Sequence, residues 1–180
     1  PAGDASTDDG KIAGLYAAFM DTERIEALGG SPLQPLLAAI DDVDSPSAMA
    51  RHLGWSLRHG LSPLVHLYEE SDPGDPTRYA VFSSQGGLGL PDEAYYRAPE
   101  HAETLGTYRG HVARMLGLGG VAGDPDELAD RVLAVETRLA QAHWDNVANR
   151  DAGATYNLRT TEELVAAAPG AVELELDGVR

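Results

Sequence analysis

Cysteine is absent from all 180 residues, which excludes disulfides, thiolate metal sites and cysteine nucleophiles together. A secreted eukaryotic ectodomain would ordinarily carry bridges, so the absence argues against that origin. Lysine is nearly absent as well. Lys11 stands alone beside abundant Ala, Gly, Asp and Arg, a bias associated with GC-rich bacterial genomes. Basic charge of either kind is scarce, 13 Lys and Arg against 29 Asp and Glu, for a formal net charge of −16. Such a chain repels phosphate backbones and anionic lipid, so no nucleic acid partner and no membrane contact are expected. The acidity is scattered. Only Asp8-Asp9, Asp41-Asp42-Val43-Asp44 and Glu69-Glu70 form short clusters, which are the charges of solvated loops and helix ends. No run approaches the roughly 20 apolar residues of a membrane span, and no basic stretch followed by an apolar core reads as a leader. The expectation is a soluble segment of a cytoplasmic or secreted bacterial protein.

Motifs for several chemistries are also missing. A zinc peptidase site needs His-Glu-x-x-His, two imidazoles one helical turn apart with a glutamate to activate the bound water. The six histidines, His52, His59, His66, His101, His111 and His143, never form it. His52 and His59 are the nearest to helical spacing, and seven residues is about 10.5 Å of rise, too far for one ion. Gly86-Gly87-Leu88-Gly89 lacks the Gly-Lys-Ser/Thr ending of a phosphate loop, and Leu90-Pro91 imposes an extended turn instead of a helix start. Gly-x-Ser-x-Gly is missing too, although Ser83 and Ser84 are present. Paired carboxylates for hydrolysis are defined by spatial separation, and with this many acids chance pairs carry no weight.

What remains is a helical pattern. With 43% hydrophobic residues, a chain of this length can bury about two thirds of its unfolded surface. Residues 1–10 read as a polar linker without an initiating Met, as at a cut from a longer chain. From Lys11, the apolar residues Ile12, Leu15, Tyr16, Phe19 and Met20 share one helical face, with Gly29-Gly30 ending the helix. Ser31-Pro32 and Ser45-Pro46 each read as an N-cap followed by Pro at the first helical position. The first pair opens a helix whose Leu36, Leu37 and Ile40 face inward, and the second opens one running to about His59.

The period then changes. Val65 and Leu67 alternate with polar residues, Arg78 to Phe82 is rich in β-formers, and Ser71 to Pro76 is a turn cluster, which together predict one β-hairpin. Two stripes follow, Leu105, Tyr108, Val112, Met115 and Leu116, then Leu128, Val132, Val135 and Leu139. They predict an αα-hairpin across the loop 117–123, with Asp124-Pro125 starting its second helix. Asn146 to Asn157 reads as a polar loop. Thr160-Thr161-Glu162-Glu163 is a capping-box start for a short helix through Ala168, and Val172 to Leu176 alternates like a strand. The predicted fold class is mainly α, a multi-helical domain with one small β-hairpin.

Four blocks, in order, carry a resemblance. Lys11 to Asp21 has Leu15-Tyr16 and Met20-Asp21, and Gly30 to Leu36 follows it. Gln85-Gly86-Gly87-Leu88-Gly89-Leu90-Pro91-Asp92 with Tyr95-Tyr96 is the most specific. Glu136 with Leu139-Ala140, then Arg150-Asp151 and Thr155-Tyr156-Asn157, complete the set. Together they resemble the N-terminal, non-catalytic helical region of the neprilysin and endothelin-converting-enzyme family of zinc metalloendopeptidases. The resemblance covers residues 11–168; residues 169–180 match nothing and read as tail or linker strand.

The resemblance implies one lobe of a two-lobed enzyme that hydrolyses oligopeptides, with zinc held by the catalytic lobe of the same polypeptide. It carries no catalytic, cofactor-binding or metal residue onto any position here, so this chain is expected to be inactive alone and to form the wall or lid of the substrate cavity. The alternative is a standalone non-catalytic helical module that binds peptides or proteins. Among polar positions, Arg150-Asp151 is expected to form a buried or interface ion pair fixing the loop before Tyr156. Gln85 to Pro91 is expected to pack structurally, with Tyr95 and Tyr96 as core or lobe-interface aromatics needing hydroxyl partners.

Overall fold

The computed structural model describes residues 4–61 and 64–167. The chain divides into two compact units, residues 1–38 and 39–180.

In the first unit, α1 spans Asp8–Met20 and α2 Thr22–Leu28. The helix therefore starts three residues before Lys11. Thr7 caps it, its hydroxyl accepting from the Gly10 amide at 3.1 Å, and Asp8 and Asp9 sit in the first turn where the helix dipole favours anions. The single helix expected as far as Gly29 is broken at Asp21, whose carboxylate accepts from the Arg24 amide at 3.0 Å. Asp competes with the helical ladder in this way, and here it ends one helix and caps the next.

Ser31 does not act as an N-cap. Ser31–Leu33 form a 3₁₀ turn, and α3 begins at Gln34 and ends at Asp41, with Pro35 in its first turn, where a missing N–H costs nothing. The apolar stripe of α1 exists as read, but Ile12, Leu15, Tyr16 and Phe19 are all exposed. Leu36 and Ile40 were expected inward and are exposed too, with Leu37 half-buried.

In the second unit, α4 spans Pro46–Arg58, with Ser45 accepting from the Ala48 amide at 3.2 Å, as the Ser-Pro pair predicts. Strands β1, Val65–Asp72, and β2, Asp75–Gln85, pair antiparallel with Leu67 opposite Ser83, Tyr68 opposite Phe82 and Glu69 opposite Val81. The strands run further than the β-former runs suggest, because the turn occupies only Pro73-Gly74. Two 3₁₀ turns, Glu93–Tyr96 and Pro99–His101, then lead into α5, Ala102–Leu118.

Helix α6, Pro125–Ala142, returns against α5 with Asp124 accepting from the amides of Asp126 and Glu127. Ala113 of α5 and Ala129 and Ala140 of α6 are buried; small side chains let the two backbones approach. At the exposed edge Arg109 of α5 bonds Asp126 at 2.8 Å and Asp130 at 2.9 Å, tying one helix to the other.

The segment after α6 is more ordered than the loop its composition suggests. It holds a 3₁₀ turn, Ala148–Arg150, and the short α7, Ala152–Thr155. Helix α8, Thr161–Ala167, opens with the expected capping box: Glu163 N–H donates to Thr160 Oγ1 at 3.2 Å, and Thr160 N–H donates to Glu163 Oε2 at 2.8 Å. The expected strand at 172–176 and the tail 169–180 lie outside the described residues. Among the described residues, no helix is long and apolar enough to cross a membrane.

Candidate functional site

The run Gln85 to Asp92 leaves the end of β2 and is held at four points. Gln85 makes a two-way amide contact with the backbone of Trp144: its Nε2 donates to the Trp144 carbonyl and its Oε1 accepts from the Trp144 amide, each at 2.9 Å. A side-chain amide matches a peptide group in this way because it carries the same donor and acceptor. His143 Nε2 lies 3.1 Å from the Gly86 carbonyl. At the far end, Asp92 accepts from Asn146 Nδ2 at 2.6 Å and caps the following 3₁₀ turn through the Ala94 amide at 2.9 Å.

The fourth point is Tyr96, which is buried. Its hydroxyl accepts from the Leu90 amide at 3.1 Å and donates to Glu136 Oε2 at 2.8 Å, while Tyr108 donates to Glu136 Oε1 at 2.9 Å. One carboxylate on α6 thus receives a phenol from the turn 93–96 and another from α5. Burial, followed by the bond to Glu136, pushes the Tyr96 phenol up to about 12 and raises Tyr108 further, so both stay protonated donors at neutral pH.

The glycines follow from this geometry. Gly87 has φ +85°, in the left-handed region that a side chain disfavours. A Cβ at Gly89 would overlap the Tyr108 hydroxyl, so only hydrogen leaves room for the phenol to reach Glu136. Beside the run, an open cleft of about 360 Å³ is lined by Glu93, Tyr96, Arg97, Thr137, Gln141 and His143. Glu93 is buried and paired with Arg97, which holds its carboxyl below the usual range.

A second closure sits at the hairpin turn. Asp72 is wholly covered; it accepts from Tyr156 Oη at 2.6 Å, from the Gly74 amide at 2.8 Å and from Arg78 Nε at 2.8 Å. The Tyr156 bond first, then the Gly74 amide, lowers its carboxyl to about 2. The hairpin is thereby fixed at its base through Gln85 and Trp144 and at its tip through Asp72 and Tyr156.

The expected Arg150-Asp151 ion pair is not there. Both residues are exposed, and the Asp151 carboxylate accepts from the amides of Gly153 and Ala154, each at 3.0 Å, capping α7. A carboxylate next to a helix start finds backbone donors closer than a flexible guanidinium. Tyr96 has the hydroxyl partners expected of it. Tyr95 instead stacks on His101 with ring centroids 4.1 Å apart.

The histidines are dispersed: His52 and His59 flank Trp55 in a stack along α4, and His111 contacts Arg114. Among the described residues, no group of three His, Asp or Glu side chains could hold a metal ion. Residue patterns missed Asp72, Tyr108 and Trp144. An Asp before Pro-Gly with Arg six residues on hints at Asp72, but nothing local links it to Tyr156, 84 residues away.

A family model described as Peptidase family M13, covering the family's N-terminal part, matches residues 1–175. The chain belongs to peptidase family M13. Among M13 relatives, endothelin-converting enzyme-like 1 of Mus musculus is 28% identical over 173 residues, covering 86% of this chain and 22% of its own length. Neprilysin-1 of Trittame loki is 22% identical, covering 86% and 23%.

Among solved structures, the zinc metalloprotease ZMP1 of Mycobacterium tuberculosis in complex with an inhibitor has a TM-score of 0.85 at 42% identity. The match covers 93% of this chain and 27% of that one. The same protease in its open state has a TM-score of 0.83 at 45% identity. The chain therefore spans about a quarter of the length of these M13 proteins. The string Gln85 to Asp92, which carried the resemblance most specifically, is bonded at Gln85, Gly86, Leu90 and Asp92 to residues outside it.

Proposed function

We propose that this chain is the metal-free N-terminal part of an M13 zinc metalloendopeptidase and forms one wall of the cavity in which oligopeptides are cut. The observation that carries this reading is the likeness at 42% identity and TM-score 0.85 to a chain described as a zinc metalloprotease, of which this chain covers only 27%. The sequence contains no His-Glu-x-x-His, so the zinc ligands and the glutamate base belong to the remainder of the polypeptide. Zinc there would activate a water for attack on the peptide carbonyl.

The contribution of this part is mechanical. Admitting oligopeptides and refusing folded proteins requires an opening of constant size, and a constant opening requires elements that do not shift against one another. The bonds of Gln85 to Trp144, Tyr96 to Glu136 and Asp72 to Tyr156 supply that rigidity between the hairpin and the helical pair. The test compares the full-length gene product with this segment, for zinc content and for chelator-sensitive cleavage of a mixed oligopeptide library. Zinc and turnover are expected in the full-length protein and neither in the segment. Stoichiometric zinc in the segment, or an inert full-length protein, overturns the reading.

A further inference from the structure

Several of the few cations in this chain are held by its own carboxylates. Arg78 bonds Asp72 at 2.8 Å and lies 3.9 Å from Asp75, Arg97 bonds Glu93 at 2.8 Å, and Arg109 bonds both Asp126 and Asp130. Lys11, the single lysine, pairs with Asp8 at 3.0 Å. With 29 acidic residues against 13 basic ones, many carboxylates are left without a counter-charge. Glu69, Glu70, Glu103 and Glu127 are exposed, and among the described residues no cation pairs with any of them.

These four point in different directions. Successive strand residues face opposite sides of a ribbon, so Glu69 and Glu70 put a charge on each face of β1. Glu103 stands in the first turn of α5 and Glu127 in the first turn of α6. A wall made from either face of the ribbon, or from the helical pair, therefore carries uncompensated negative charge. Such charge acts over about 8 Å at physiological ionic strength, and a cleft of one sign concentrates ligands of the other.

We infer that this segment gives the M13 protein a preference for cationic oligopeptides, those bearing Lys or Arg, over anionic ones, through the field of its wall and not through a pairing subsite. This inference rests on the proposed function and names the substrate class of that cavity. The test uses the full-length protein and three peptides that share one cleavable core and differ only in flanking residues, Lys, Glu or Gln. kcat/KM is measured for each at low and at high salt, in the parent and in a variant carrying Glu69→Gln, Glu70→Gln, Glu103→Gln and Glu127→Gln together.

At low salt the Lys-flanked peptide should exceed the Glu-flanked one by about tenfold or more, and at high salt by less than about threefold, because the field is screened. The four substitutions should lower the low-salt ratio by at least about twofold. Equal rates for the two charged peptides overturn the inference. So does a preference that survives high salt, which identifies a specific ion pair, or one that the four substitutions leave unchanged, which places its source in the remainder of the polypeptide. The salt comparison needs no substitution, so it decides the matter even where the variant folds poorly. The Gln-flanked peptide separates the two readings: its turnover without any charge preference removes the field and leaves the proposed function standing, whereas an enzyme inert towards all three peptides removes both.

Discussion

Glu136 and Asp72 are both carboxylates around which the chain closes, but their donors differ in kind. Glu136, between the helices, receives only neutral phenols, from Tyr96 and Tyr108. Asp72, at the hairpin turn, receives a phenol, a backbone amide and the Arg78 guanidinium. The helical closure depends on Tyr96 and Tyr108 staying protonated, and the hairpin closure on Asp72 staying ionised while Tyr156 stays protonated. Both closures carry phenols that alkali would ionise, Tyr96 and Tyr108 at one and Tyr156 at the other, and the hairpin closure adds an acid limit at Asp72.

The largest expected effect comes from crowding the helical closure. Gly89→Ala sets a methyl against the Tyr108 ring and should destabilise by about 2–3 kcal/mol in urea unfolding. In a Tyr108→Phe background the same substitution should cost less, because the hydroxyl it meets is gone; an equal cost in both would show that Tyr108 is not the obstacle. Next is Tyr96→Phe. It leaves both the Leu90 amide and one Glu136 oxygen without a partner, for about 1–3 kcal/mol, and more than Tyr108→Phe, which strands only the other oxygen. The reverse order would mean that Leu90 does not depend on Tyr96.

The comparison is sharpest in pH. Tyr96 has a folded pKa near 12 against an ordinary value of 10.0; its contribution is intact below pH 10 and is lost as pH rises towards 12. Phenolate absorbance on alkaline titration should show three tyrosines ionising late, Tyr96, Tyr108 and Tyr156, and Tyr96→Phe should leave two. Asp72 has a folded pKa of about 2 against 3.8; its contribution is present above 3.8 and is lost as pH falls through 2. Stability measured across that interval should fall in the parent and change less in Asp72→Asn. The smallest effect is expected at the junction of the two regions: Gln85→Leu removes both bonds to the Trp144 backbone at an exposed site where water replaces them, for about 1 kcal/mol. A shifted Trp emission should accompany it.

The sequence foretold these regions unequally. Ser45-Pro46, Asp124-Pro125 and Thr160 to Glu163 announce their helices because a cap acts within three residues of itself, so its signal is wholly local. The hairpin was legible for the same reason, through alternation and a Pro-Gly turn. The break at Asp21 was not, since the apolar stripe continues through it and the carboxylate chooses between helix and cap by a single bond to Arg24. The reading of Arg150-Asp151 as an ion pair failed in a similar way: neighbours of opposite charge suggest each other, but Asp151 had nearer donors in Gly153 and Ala154.

Residue order fixed the family, the helical class, the hairpin and the missing zinc motif, all of which depend on identities at short spacing. Folding supplied the reasons for its most specific string. That Gly89 must be glycine is settled by Tyr108, 19 residues on, and Tyr108 is placed by Glu136, 28 residues further. Asp72 is covered by Tyr156 from 84 residues away. Contacts at such separations leave no periodicity in a sequence, because they are set by how whole elements pack and not by any residue's neighbours.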